Sequence, residues 1–394
     1  MAFNLNKMIN DIEKKKERKK RIEAQKNALK VFVNDERLGT ITNDEIKAGG
    51  CGLIAEIKAD DNSIYAAKVQ EKNKIVDPEN DKKNPNESEL VRTFRGPNIT
   101  KVTTIKNKTI DQKNYELILM ERARFNDLSS LVSNLNTNIL RLIFKNPFEI
   151  VGDNLIRYIV KQLMKGFETL YLANYTHFDF KPGNTLIFDN LVIKLADFGF
   201  LRNPYEIANK EKKVNIPGFT HGYIPPEYFY NKDHKIPIEE ATKLDYFALG
   251  ATIYFLKYGE IMMDYPIYKN HISTANYMIK LIERAIDRIK TTKSNDKDFD
   301  EFLINLIQYK SKDRISFEQI YRNKWLNKNW NKILEIKDNY MSDEKSLIME
   351  LDKSEFLFEK NKYIYEQRKQ IDIININGNK DKKISYHKFK IKLQ

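Results

Sequence analysis

The sequence predicts an α+β fold in which a strand-rich segment precedes a helical one. Two strand-like segments flank the glycine-containing run Lys47–Ile54, an apolar strand follows at Tyr65–Val69, and a further strand-like segment lies at Tyr115–Glu121. From Ile156 to Tyr175, apolar residues recur instead at the spacing of a helix. This change of period along the chain predicts a β-rich part followed by a helical part.

Length and composition limit the classes of protein to consider. The 394 residues, of which 41% are hydrophobic, suffice for one large two-lobed domain with extensions, or for about two to three ordinary domains. The single cysteine, Cys51, excludes a disulfide framework and indicates a reducing compartment, which we expect to be the cytoplasm. No apolar run is long enough to span a membrane, the N-terminus has no apolar signal core, and Ala2 is not the glycine that N-myristoylation requires.

Positive charge is concentrated at the two ends of the chain. Of the net charge of +13, residues 1–33 carry +6, residues 327–394 carry +4 and the middle carries +3, so a nucleic-acid-binding core is not predicted. Residues 7–30 are predicted to form a helix with the basic run Lys14–Arg21 at its centre. Because this run has no apolar stripe, it would be a solvated arm or would meet an acidic partner, and it would also suit nuclear import.

A glycine-rich turn and a lysine follow in the strand-rich part. Gly49, Gly50 and Gly52 lie between two predicted strands, and glycines let backbone N–H groups approach phosphates without a Cβ clash. Lys68 comes sixteen residues after Gly52 in the apolar strand Tyr65–Val69, and such a run predicts a buried lysine rather than a surface one.

The stretch His177-Phe-Asp-Phe-Lys-Pro-Gly-Asn184 carries the residues for chemistry. Asp179 lies in a short loop, Lys181 follows two residues later and Asn184 five residues later, and Asp197 comes after a short apolar strand. Phosphoryl transfer needs a carboxylate to accept a hydroxyl proton, a lysine to steady the moving phosphoryl group, and an amide and a carboxylate to hold Mg²⁺. This spacing therefore predicts a phosphotransferase site.

These residues resemble the catalytic and metal-binding loops of eukaryotic protein kinases. The resemblance continues in order over roughly residues 40–326. It implies a bilobal protein-kinase-like fold with a β-rich small lobe at residues 34–121 and a helical large lobe at residues 122–328. The resemblance does not include the basic helical extension, residues 1–33, or the C-terminal extension, residues 329–394.

Against the kinase glycine-loop pattern, Gly49 and Gly52 take the second and third glycine positions and Ile54 takes the valine position. Lys47 then replaces the first glycine, and a register that starts at Gly50 fits less well. The resemblance implies that Lys68 pairs the α/β-phosphates of ATP. The resemblance also implies that a glutamate ten residues before Pro97 pairs with Lys68. This residue is Glu87, and Glu89 is the alternative.

The hinge and the activation segment follow from the same resemblance. Met120 would guard the adenine pocket beside Ala66, and the backbone of Glu121 and Ala123 would bind adenine. Thr220, seven residues before Glu227, would contact the catalytic Asp179 and Lys181. Arg314 would pair with Glu227 and fasten the activation segment to the large lobe.

The implied activity is transfer of the γ-phosphoryl group of ATP to Ser or Thr of protein substrates, with ATP and Mg²⁺ as cofactors. In these roles Asp179, Lys181 and Thr220 are catalytic, and Asn184 and Asp197 hold the metal. Two alternatives stay open: a pseudokinase scaffold, which the altered glycine loop would support, and a small-molecule or lipid kinase. The chain also departs from the kinase pattern at Phe178, which replaces the arginine of H-R-D in the manner of non-RD kinases.

The C-terminal extension is weakly similar to a degenerate EF-hand, as in calcium-dependent protein kinases. Asn377, Asn379, Asp381 and Ser385 would supply oxygen ligands. However, Lys382 and Lys388 stand where an EF-hand needs a glycine and a bidentate glutamate, so a β-hairpin or an irregular segment without Ca²⁺ binding is the main expectation.

Overall fold

The computed structural model describes most of the chain up to Lys328, namely residues 2–49, 52–72, 87–136, 151–230, 233–268, 270–292, 294 and 296–328. The chain divides into two units, Met1–Ile336 and Lys337–Gln394. The second unit, and with it the expectation of a hairpin or vestigial EF-hand, lies outside the described residues.

The small lobe is built on one five-stranded antiparallel sheet in the order β1-β2-β3-β5-β4. Its strands are β1 (Thr40–Gly49), β2 (Gly52–Lys58), β3 (Ile64–Lys72), β4 (Val102–Ile110) and β5 (Lys113–Glu121). Neighbouring residues Ala66, Ala67, Lys68 and Val69 of β3 are all buried. Since side chains alternate between the two faces of a strand, both faces of the sheet must be covered here.

Helix α1 (Ala2–Asp35) covers one face of this sheet. Its last turns bury Ala28, Leu29, Phe32 and Val33 in a core cluster with Ala55, Ile57, Ala67, Val69, Tyr115, Leu117 and Leu119 of the strands. The helix therefore runs past the predicted end at residue 30, and its C-terminal part belongs to the small lobe. Residues 12–21, which include the basic run, are exposed.

Helix α2 (Glu87–Thr93) lies on the opposite face, to which Lys68 points. Leu90, Val91 and Phe94 are buried. The segment that follows α2 joins the large lobe, because Thr100 N donates to Leu195 O (2.9 Å) and Leu195 N donates to Asn98 O (2.9 Å). This segment therefore links α2 to the strand that precedes Asp197.

The large lobe is mainly helical. Its longer helices are α3 (Leu128–Asn136), α4 (Asp153–Leu172), α8 (Leu244–Tyr258), α9 (His271–Thr292) and α10 (Lys297–Leu306). Shorter helices are α5 (Pro204–Ile207), α6 (Glu227–Tyr230), α7 (Ile238–Ala241) and α11 (Phe317–Tyr321). Two small antiparallel sheets of two strands each pair β6 (Thr185–Ile187) with β7 (Ile193–Leu195), and β8 (Lys213–Asn215) with β9 (Lys235–Pro237).

Helix α8 is the central helix of this lobe, and nearly all of its residues are buried. A Cβ atom at Gly250 would lie 2.6 Å from Ile307 Cγ2, so the glycine permits close packing of α8 against the end of α10. A sheet-based small lobe and a helical large lobe agree with the predicted α+β, two-lobed fold. Within the described part of the chain, no helix has the length and apolar character needed to cross a membrane.

Candidate active site

The loop His177–Asn184, which we call the catalytic loop, is held in place by a carboxylate of α8. The backbone N–H groups of His177 and Phe178 donate to the two oxygens of Asp245 at 2.7 and 3.0 Å. Burial raises the pKa of Asp245, while His177 and the two N–H groups act in the opposite direction. His177 Nε2 lies 3.0 Å from the carbonyl oxygen of Ala196, which ties the loop to the chain just before Asp197.

Asp179 is the centre of a small hydrogen-bond network. Thr220 Oγ1 donates to Asp179 Oδ1 at 2.5 Å, and Lys181 Nζ lies 2.6 Å from Asp179 Oδ2. Lys181 Nζ also donates to Thr220 Oγ1 at 2.5 Å. Asn184 Nδ2 donates to the backbone oxygen of Asp179 at 2.8 Å and to Oδ2 at 3.1 Å. The structure thus brings together the three predicted catalytic residues and one of the two predicted metal ligands.

A second charged group lies in the cleft between the lobes. Lys68 Nζ bonds both carboxylate oxygens of Glu87, at 2.8 and 2.7 Å, and Asp197 Oδ1 at 2.8 Å. Glu87 is therefore the partner of Lys68 in the structure, as counting back from Pro97 predicted. The side chain of Glu89 is not described.

Burial and charge act against each other in this group. Burial lowers the pKa of Lys68, but Asp197 and Glu87 more than offset it, so the pKa lies above its ordinary value. For Asp197, burial favours the neutral form, yet the charge of Lys68 prevails and lowers its pKa to about 2. Burial raises the pKa of Glu87, and the charge of Asp197 adds to this effect. Lys68 and Asp197 are thus a cation and an anion at neutral pH.

Asn184 and Asp197 offer oxygen atoms to a cation. The amide nitrogen of Asn184 is bonded to Asp179, which leaves its amide oxygen for a ligand. Lys68 bonds only Oδ1 of Asp197, whose side chain is 29% exposed to the cleft. Among the described residues no group of three or more His, Cys, Asp or Glu side chains could hold a metal. One carboxylate and one amide fit Mg²⁺, which usually binds to one or two protein oxygens together with phosphates and water.

The glycine-rich hairpin forms the roof of the cleft. Gly49 pairs with Gly52 at the ends of β1 and β2, and Ile54 pairs with Lys68 of β3. Gly50 lies outside the described residues. Gly52 has φ +133°, and a Cβ there would lie 2.6 Å from Val69 O, so this position requires glycine.

The predicted hinge residues lie at the end of β5. Met120 pairs with Ala66, so the two lie side by side on neighbouring strands. The N–H of Glu121 donates to Lys101 O at 3.0 Å and its side chain bonds Lys194, so any contact of its backbone with a base would come from the carbonyl oxygen. Ala123 is buried, and its carbonyl oxygen is contacted by Arg122.

The activation segment is anchored at its end. Arg314, only 1% exposed, donates from Nη1 and Nη2 to the two oxygens of Glu227 at 2.7 and 3.1 Å. The predicted pair is thus present and doubly bonded. The guanidinium also lies over the ring of Phe247 of α8.

Sequence reasoning missed two residues of the site. Lys47 was treated only as a missing glycine, yet its Nζ donates to the carbonyl oxygen of Gly183 at 2.9 Å and lies 3.7 Å from Asp127 Oδ2. Asp127 had a detectable signal, since it is an acidic residue four positions after Ala123 at the start of α3. No sequence signal could show that Lys47 contacts the large lobe, because this contact depends on the distance between the two lobes.

A glycine-rich hairpin above Asp179, with the buried Lys68 bonded to two carboxylates, is an arrangement of the two-lobed kinase type. The protein kinase domain family matches residues 41–326, and the chain therefore belongs to the protein kinase family.

Several curated protein kinases are similar to the chain at low identity. The cGMP-dependent protein kinase, isozyme 1, of Drosophila melanogaster is 26% identical over 60% of this chain and 27% of its own length. The Aurora kinase of Saccharomyces cerevisiae is 28% identical over 68% of this chain and 63% of its own length. The serine/threonine-protein kinase atg1 of Dictyostelium discoideum is 27% identical over 44% of this chain and 24% of its own length. The match thus spans less than two thirds of each of these relatives.

Proposed function

We propose that the protein is an ATP-dependent serine/threonine-protein kinase, a transferase that moves the γ-phosphoryl group of ATP to a Ser or Thr hydroxyl of a protein substrate. The observation that carries the proposal is the closed set of hydrogen bonds among Asp179, Lys181 and Thr220 beside the Lys68–Glu87–Asp197 group. These are two preorganised clusters of charge, and phosphoryl transfer depends mainly on positioning and charge stabilisation.

In the proposed reaction, the substrate hydroxyl gives its proton to Asp179 while its oxygen forms a bond to the γ-phosphorus of ATP. The bond from that phosphorus to the bridging oxygen breaks, and ADP leaves with the electron pair. Lys181, 2.6 Å from Asp179, would balance the charge of the moving phosphoryl group.

The other residues would hold the nucleotide. Lys68, fixed by Glu87, would bind the α/β-phosphates under the hairpin of Gly49 and Gly52. Asn184 and Asp197 would hold Mg²⁺, which neutralises phosphate charge when bound. The base would lie between the roof and the hinge, in contact with the following residues: Ile54, Ala66, Met120, Glu121 and Ala123.

Preference for Ser and Thr rests on Thr220 and Lys181. Both side chains bond Asp179, so they restrict the access of a substrate side chain to its carboxylate. The named serine/threonine kinases among the relatives support the same class. The pseudokinase alternative rests on Lys47 in the glycine loop, and against it stand the retained Lys68, Asp179, Asn184 and Asp197.

The test is a γ-³²P-ATP assay with Mg²⁺ on generic basic and acidic proteins, followed by phosphoamino acid analysis. We expect label in phosphoserine and phosphothreonine, and none with the Asp179→Asn variant. Label confined to phosphotyrosine would contradict the Ser/Thr assignment. Nucleotide binding without transfer to any protein would favour the pseudokinase scaffold. Transfer only to an added lipid or small molecule would favour a small-molecule or lipid kinase.

A further inference from the structure

Lys47 spans the mouth of the nucleotide cleft. It belongs to β1, where it pairs with Ile54 of the roof. Its ammonium nevertheless reaches the floor, where it donates to Gly183 O at 2.9 Å and lies 3.7 Å from Asp127 Oδ2. One side chain therefore ties the glycine-rich hairpin directly to the large lobe.

The two partners of Lys47 are close in the sequence to residues at the two ends of the proposed nucleotide site. Asp127 follows the hinge residue Ala123 by four positions, and Gly183 immediately precedes Asn184 of the metal site. A nucleotide with its base at the hinge and its phosphates at Lys68 must place its sugar between them. The ammonium of Lys47 therefore uses two acceptors that face the path of the sugar.

The bond is of a kind that a ligand can open. The side chain of Lys47 is 51% exposed and that of Asp127 is 15% exposed. Ion pairs with one exposed partner are weak and screened by solvent. Asp127 also keeps its other oxygen, Oδ1, bonded to Ser130 of α3, so release of Lys47 would not disturb that helix start.

We propose that Lys47 is a latch across the cleft, which the sugar of a nucleotide must displace, so that this residue lowers nucleotide affinity. The proposal rests on the proposed function, because it assumes that the cleft takes a nucleotide. Loss of the latch removes a competitor for Gly183 O and Asp127. Loss of Lys47 should raise the affinity for a nucleoside more than the affinity for a nucleotide with phosphates. In the wild type, the ammonium that a nucleotide displaces can pair with the phosphate oxygens and so offset part of the cost of its release.

The test compares the full chain with its Lys47→Met and Lys58→Met variants. Lys58 lies exposed on β2, and its ammonium has no ion pair in the part of the chain that the structure describes, so it controls for the loss of a surface lysine. Calorimetric titration with adenosine measures the affinity. We expect Lys47→Met to bind adenosine roughly two- to fivefold more tightly than wild type, and Lys58→Met to match wild type.

Amide hydrogen exchange without ligand gives a second measurement. Residues 46–49 and 52–54 should exchange faster in Lys47→Met, because the hairpin is no longer tied down. Unchanged or weaker adenosine binding by this variant would overturn the latch, and so would unchanged exchange. If wild type binds neither adenosine nor Mg·ADP, the proposed function fails and the latch with it. Normal binding by wild type with no effect of Lys47→Met overturns the latch alone.

Discussion

Lys68 carries a buried charge that two carboxylates compensate. It is 3% exposed, and both Glu87 and Asp197 depend on it, since burial alone would favour their neutral forms. A residue in this setting is a candidate for a functional role because charged groups are buried only at a cost.

We predict that Lys68→Met weakens binding of Mg·ATP strongly. The change removes the cation nearest to the proposed α/β-phosphate site, so the phosphates lose their buried positive partner. Thermal-shift titration with Mg·ATP measures this, with Lys58→Met as the matched control and circular dichroism to verify folding. An undiminished shift in a folded Lys68→Met variant would mean that Lys68 does not contact the nucleotide.

For Asp179→Asn we predict loss of phosphoryl transfer with nearly normal nucleotide binding. Removal of a general base typically costs about 10²–10⁴-fold in rate. The nucleotide would be held by other residues, chiefly Lys68 and the hinge. Turnover with γ-³²P-ATP and calorimetry with Mg·ATP separate the two effects. A variant with near-normal turnover would show that Asp179 is not the base.

Several contacts of single residues could be predicted because they follow from order and spacing. The distance of ten residues from Glu87 to Pro97 placed this glutamate on α2, opposite Lys68, and Thr220 was placed beside Asp179 in the same way. The contacts of Lys47 could not be predicted in this way. Its sequence neighbours resemble a phosphate loop, whereas its contacts depend on how closely the two lobes approach.

Helix α1 shows two kinds of surface along one element. Residues 12–21 are exposed, and they include seven basic side chains in the run from Lys14 to Arg21. The last turns bury Leu29 and Phe32 completely against the sheet. Arg18 Nη2 donates to Ala48 O at 3.1 Å, so the middle of α1 also contacts β1 next to the glycine-rich hairpin. An acidic partner for the basic run stays a prediction.

The sequence predicted the exposed half of α1 but not the docked half. The charged run dominates any window that includes it, and the apolar positions Ala28, Leu29, Phe32 and Val33 span little more than one turn. Which face of the sheet they cover is decided by the strands. Alternation in β3 turns Val69 and Ala67 toward α1 and Lys68 away from it.

We predict that Phe32→Ala destabilises the protein by about 3–5 kcal/mol, the usual cost of removing a fully buried phenylalanine. The matched control is Ile12→Ala on the same helix, where the side chain is 51% exposed. It should change stability by less than about 0.5 kcal/mol. Urea denaturation of both variants measures the difference. Equal and small effects would mean that α1 is an independent arm rather than part of the small lobe.

At the scale of the whole molecule, the activation segment connects the catalytic loop to the large-lobe core. It begins where Thr176 and Arg202 exchange backbone hydrogen bonds of 2.8 and 3.1 Å. It ends at the bidentate pair of Glu227 with Arg314. Between these anchors, Thr220 is bonded to Asp179. The order of motifs along the chain predicted the second anchor and Thr220, but the first is a backbone contact that no side-chain pattern reveals.

Phe178 removes one reason for a phosphate on the activation segment. In kinases with H-R-D, an arginine at this position is a buried charge that an activation-segment phosphate neutralises. Here Phe178 is buried and lines one cavity together with Phe219, Tyr223 and Ile224 of the segment. An apolar side chain therefore stands where those kinases have an arginine, and position 178 offers no charge for a phosphate to neutralise.

We predict that phosphorylation of the activation segment is not required for activity. Protein made in bacteria and treated with phosphatase should phosphorylate a generic substrate as fast as untreated protein, because both ends of the segment are anchored by groups that carry no phosphate. Lys210, Lys212 and Lys213 lie in the segment and could meet a phosphate there. The matched control is therefore a triple Lys→Met variant at these positions, which should respond to phosphatase no differently from wild type. A large loss of rate after phosphatase, restored by autophosphorylation within residues 200–220, would contradict the prediction.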